Sequence, residues 1–207
     1  MRPLLPLPDY QRIYEVVYSV LHATEVAVTH RACLLFATVG TLILRDTYHL
    51  PATLSAGCFA MMINEASADV AVYGNLNDVG QSDSDAFHAW VECDGWLIDF
   101  MAPIMGVAMR EDGYTRAVPR QMLQKRLENA KESIGEIQHA GEFYLQHDRV
   151  LTETLLDFQP AGTFDLIELC KAWHRRPPKR LKDMMMGDSH GQPKPLILRA
   201  PSITGVW

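Results

Sequence analysis

The stretch FHAWVECDGWLIDF, residues 87–100, decides how this chain folds. Two runs rich in aromatic and β-branched residues flank Asp94-Gly95, a favoured pair for the two-residue turn of a β-hairpin because both turn positions need positive φ. With those residues at the turn, Cys93 pairs with Trp96, Trp90 with Asp99 and His88 with Met101. Side chains alternate along a strand, so residues 88, 90 and 92 share a face with 97, 99 and 101. His88 and Asp99 become diagonal neighbours on that face, a separation side chains can bridge. A carboxylate so placed accepts a hydrogen bond from one imidazole nitrogen, fixes the tautomer and leaves the other nitrogen free as a base. The pair alone has an ordinary explanation, since half-buried strands carry a His beside an Asp when each simply satisfies the other.

A thiol upstream gives the pair something to act on. From Cys33 to about Arg45, Leu35, Phe36, Val39, Leu42 and Ile43 recur at three and four, which predicts a helix apolar on most sides. Cys33 opens it, just after Thr29, His30, Arg31 and Ala32. The positive end of the helix dipole, with Arg31 nearby, favours a thiolate there. Backbone N–H groups at the same tip are natural oxyanion donors. The other three cysteines read as buried apolar residues. Cys58 and Cys93 lie in apolar strands, Cys93 pointing away from His88 in this register, and Cys170 falls in a stripe with Leu166, Leu169 and Trp173.

Around this core, residues 9–24 carry a further helical pattern capped by Asp9, and 52–63 and 69–74 read as strands. The polar stretch 75–85 reads as a loop and a candidate lid. In the second half, 119–137 reads as an amphipathic helix with Pro119 in its first turn. Residues 142–146 and 150–158 read as strands, and 163–175 as a helix stopped by Pro177-Pro178. Residues 184–207 read as an extended C-terminal tail. Helices and antiparallel strands in mixed order predict a single α+β domain over 1–207.

Composition narrows the function classes. Hydrophobic residues make up 48% and charged residues 21% of the 207, with a net charge of −6. An acidic balance gives no electrostatic reason to expect nucleic acid as a partner. The basic run at 171–182 contains two prolines and reads as a solvated turn after a helix. No stretch approaches the ~18 apolar residues of a membrane span, and the start MRPLLPLPDY lacks a secretion signal. The four cysteines contain no C-x-x-C, so free thiols and a cytoplasmic setting are expected. None of the eight histidines shows metal-ligand spacing, and no glycine-rich phosphate loop is evident, so neither metal nor cofactor is expected.

The segment HAWVECDGWLIDFMAP resembles the His–Asp hairpin of transglutaminase-like and arylamine N-acetyltransferase enzymes. His88, Ala89, Trp90, Val91, Glu92, Gly95, Trp96, Asp99 and Pro103 fall on that pattern. Upstream, CLLFATVGTLILRDTYHLPATLSAG resembles the same families' nucleophile helix and following strand, through Cys33, Phe36, Ala37, Leu44, Arg45, Leu50, Pro51, Ala52 and Gly57. Ala32 stands where Gly is common, and Thr53 where Arg follows Pro-Ala. The resemblance covers residues 29–103 as a catalytic core. It implies a papain-like fold, with a nucleophile helix packed on an antiparallel sheet and a Cys33–His88–Asp99 triad. Arg31 and Trp90 are the candidate substrate-binding residues. The implied activity is hydrolysis of an amide, peptide or isopeptide bond. Transfer of the acyl group to an amine, and an inactive module that binds a peptide or partner, are the alternatives.

Overall fold

The computed structural model describes residues 3–24, 28–75, 81–157, 162–174, 184–187 and 191–207. Its centre is β1 (Thr53–Asn64), a strand long enough to serve three partners. Residues 53–57 pair antiparallel with β3 (His88–Cys93), and 59–64 with β2 (Asp69–Tyr73). Residues 57–61 pair with β6 (Phe143–His147). Gly57 pairs with both His88 and His147, and Phe59 with both Tyr73 and Leu145. A strand has two edges, so β2 and β3 follow one another along one edge while β6 takes the other. Gly57 is required where β6 crosses, because a Cβ there would stand 2.0 Å from the Gln146 carbonyl oxygen.

The expected hairpin is present. Cys93 pairs with Trp96, Glu92 with Leu97 and Val91 with Ile98, joining β3 to β4 (Trp96–Asp99). Asp94 and Gly95 both take positive φ, as the two-residue turn demands. The sheet continues through β5 (Gln121–Arg126) to β9 (Gly205–Val206), which lies parallel to β5. The result is a mixed α+β architecture on a mostly antiparallel sheet.

Strand alternation sends side chains into two cores. Ala89, Val91, Cys93, Ile98 and Met122 pack under α1 (Leu7–Thr24), α2 (Cys33–Asp46) and α5 (Thr163–Trp173). Phe59, Met61, Trp90, Leu97, Leu123 and Phe143 form the other layer, with Met105 from α3 (Met105–Glu111). Helix α2 comes close to the sheet at Gly40, where a Cβ would meet the Phe100 ring at 2.4 Å.

Two expectations fail in the second half. Residues 119–137 form β5 and short 3-10 turns rather than a helix. The outer edge of β4 needs hydrogen-bond partners, and β5 supplies them from Trp96↔Arg126 to Asp99↔Leu123, so the ladder overrides local propensity. Residues 150–158 were expected as a strand, yet α4 (Arg149–Asp157) forms there. Asp148 caps it, its Oδ1 accepting the Leu151 N–H at 2.9 Å. The tail is anchored rather than loose: β7 (Met184–Gly187) pairs with β8 (Pro193–Leu196), and Trp207 N–H donates to Met122. The middle of the candidate lid and residues 175–182 of the basic run lie outside the described residues. Among the described residues, no helix is long and apolar enough to cross a membrane.

The Gly40 contact generates a prediction with an unusual sign. In an exposed helix Gly→Ala stabilises by about 1 kcal/mol. Here Gly40→Ala is expected to destabilise by about 1–3 kcal/mol, because the added methyl overpacks against the buried Phe100 ring. Urea denaturation of the two proteins gives the sign directly.

Candidate active site

Three elements meet at the junction of β2 and β3. A one-turn 3-10 segment at Thr29–Arg31 leads into α2, whose first residue is Cys33. Ala32 provides no side-chain cap to the start of this helix. His88 is the first residue of β3, at the point where that strand meets the end of β2. Asp99 ends β4 on the face that carries His88.

His88 and Asp99 are each 1% exposed. The His88 Nε2–H donates to Asp99 Oδ2 at 2.9 Å. The other carboxylate oxygen, Oδ1, accepts the Met101 N–H at 2.8 Å. The Asp99 carbonyl accepts the Tyr10 hydroxyl from α1, so side chain and backbone are both held. The His88 Nδ1 is buried and has no hydrogen-bond partner among the described residues.

Burial opposes charge on this imidazole, but the Asp99 carboxylate, its hydrogen bond and the neighbouring Cys33 sulfur outweigh it and hold the His88 pKa up at about 10. Cys33 therefore lies within interacting range of the ring, although Nδ1 has no hydrogen-bond partner among the described residues. Burial pushes the Cys93 thiol up to about 11, with Asp94 adding to it, and the Cys170 thiol up to about 12. All four cysteines are free.

Cys33 and His88 line one cleft of about 720 Å³. One wall is β2, ending at Tyr73, whose ring centroid lies 4.7 Å from that of His88. The Tyr73 hydroxyl is buried and has no partner among the described residues. The opposite rim joins the Thr29–Arg31 turn to α3: His30 Nε2 is 2.7 Å from Glu111, and Arg31 is 2.5 Å from Asp112. Asp69 receives Tyr114 and Arg116 at 2.7 and 2.8 Å.

Of the residues expected from sequence, Cys33, His88 and Asp99 come together. Arg31 lines the cleft, with its guanidinium engaged by Asp112. Trp90, expected at the substrate edge, is fully buried, and its indole N–H donates to Glu92 Oε1 at 3.0 Å. It sits two residues into β3, inside the layer with Phe59 and Leu97, so packing explains it. Tyr73 was missed. In the segment DVAVYG it reads as one more strand aromatic, and only its neighbours in space distinguish it.

No curated protein matches the chain. A crystal structure of the genomics target APC5867 is similar over 100% of this chain and 98% of its own, at 29% identity and a TM-score of 0.84. The sequence model of a family described as a protein of unknown function, DUF2026, matches residues 6–207, nearly the whole chain, and the chain belongs to that family.

Proposed function

We propose that the chain is a thiol hydrolase of the papain-like, transglutaminase-like kind, in which Cys33 attacks the carbonyl carbon of an amide, peptide or isopeptide bond and becomes a thioester. One observation carries this function: a buried His88–Asp99 hydrogen bond leaves Nδ1 unspent on a ring that shares its cleft with the Cys33 thiol. In such a site Asp99 holds the ring, and the imidazole takes the thiol proton and returns it to the leaving nitrogen. Water then attacks the thioester, with the imidazole again as base. An imidazole whose charge is favoured by Asp99 keeps that proton near neutral pH. The four free cysteines support a reducing, cytoplasmic setting.

Iodoacetamide at pH 7 separates the thiols. Cys33 is expected to be carbamidomethylated well before Cys93 and Cys170, which burial keeps protonated. Peptide mapping that finds all four modified slowly and alike removes the nucleophile from the proposal.

The second expectation concerns pH. Acid catalysis by the His88 imidazolium persists while the proton is bound, so turnover of an amide substrate such as an acyl p-nitroanilide, whose leaving nitrogen must be protonated, should fall as pH rises through about 10. Asp99→Asn deletes the main contribution that raises this pKa and leaves burial, which lowers it. The alkaline limb should move to lower pH, and kcat should fall by at least about 10²-fold, the usual worth of a positioned acid–base group. An unmoved limb would show that Asp99 does not set the charge of the ring.

A further inference from the structure

The Tyr73 hydroxyl has no part in the triad, yet it is a buried donor left without a partner in the cleft that holds the thiol. Its ring lies against His88, with centroids 4.7 Å apart and planes 30° apart. The carboxylates and guanidinium that act on the phenol are Asp99, Asp112 and Arg31, all at or around the site. An orphaned buried hydroxyl is costly, and a ligand oxygen would offset that cost. The same cleft is lined by Cys33, whose N–H stands at a helix start without a side-chain cap.

Building on the proposed thiol chemistry, we infer that the Tyr73 O–H and the Cys33 N–H together form the oxyanion hole, and that Tyr73 is a catalytic residue. The Cys33 thiolate forms a C–S bond to the acyl carbon, and the C=O π pair moves onto oxygen. Tyr73 and the Cys33 N–H donate hydrogen bonds to that oxyanion without giving up their protons. When the tetrahedral adduct collapses, the C=O re-forms and the bond to the leaving group breaks. The leaving group takes its proton from the His88 imidazolium, which leaves a thioester and a neutral imidazole. Burial and the nearby carboxylates keep the phenol above its ordinary range, so it remains a donor at every pH at which the triad works.

The test compares two reactions of the same sulfur. Acylation by p-nitrophenyl acetate passes through an oxyanion, whereas alkylation by iodoacetamide displaces iodide and forms none. Tyr73→Phe keeps the ring against His88 and removes only the hydroxyl. The expected result is a fall of about 10²-fold in acylation kcat, the scale of losing one oxyanion donor, with KM and the rate of Cys33 alkylation unchanged. Unchanged acylation overturns the assignment. So does a parallel loss of both rates, which would make Tyr73 a positioning or folding residue. Wild-type protein in which Cys33 alkylates no faster than Cys93 or Cys170 sinks the thiol function itself, and the oxyanion assignment falls with it.

Discussion

A carboxylate buried to 1% exposure is the constraint around which this fold is arranged. An uncompensated charge in that position would be very costly, so every acceptor site of Asp99 must be occupied or shared. The partners come from separate parts of the chain: His88 from β3, the Met101 N–H from the turn that follows, and Tyr10 from α1 to the carbonyl. Across the other edge, Leu123 of β5 pairs with Asp99 in the ladder. One residue thereby ties the amino-terminal helix, the hairpin and the second half of the chain to a single imidazole. The same arrangement favours the protonated ring, so the contact that holds the fold together also sets the charge state of the site.

Rigidity is unevenly distributed around the cleft. Helix α2 is pressed onto Phe100 at Gly40, which fixes the height at which its first residue stands over the sheet. The opposing rim is held by pairs of another kind. Arg31, Glu111 and Asp112 are each about half exposed, and ion pairs of that sort contribute only about 0–1 kcal/mol. Buried contacts hold the reacting groups, and weak exposed pairs hold the mouth.

The hairpin and its register were legible in the sequence because they are local: Asp94-Gly95 admits few backbone conformations, and alternation then assigns every face. The two leading helices were legible for the same reason. What the sequence did not reveal depends on distant partners. Residues 121–126 carry Met122 and Leu123 side by side, which suits a strand buried on both faces as well as a helix, and the free edge of β4 settles the choice. Residues 150–158 read as a strand, but Asp148 just before them caps a helix by accepting the Leu151 N–H. Trp90 shares a face with His88, but at its position that face is covered by Phe59, Leu97 and Leu123, so its ring is packed rather than presented to the cleft. Tyr73 carried no signal, since an aromatic in a strand is ordinary until a histidine from elsewhere lies against it.

The distribution of unsatisfied polar groups adds weight of its own. Folded proteins satisfy nearly all buried donors and acceptors, and a helix start without a Ser, Thr, Asp or Asn cap forgoes about 1 kcal/mol. At the tip of α2 the capping position is Ala32, the neighbouring imidazole keeps one nitrogen unspent, and the neighbouring phenol keeps its hydroxyl unspent. If these were accidents of packing, they would have no reason to share a cleft, yet Cys33, Tyr73 and His88 all line the same one. Their chemistry is complementary to a reacting acyl group. Two are donors that an oxyanion could fill, and the third is a nitrogen that could relay a proton to a leaving amine. Unsatisfied groups at adjoining positions of one cleft are what the proposed thiol chemistry would draw on.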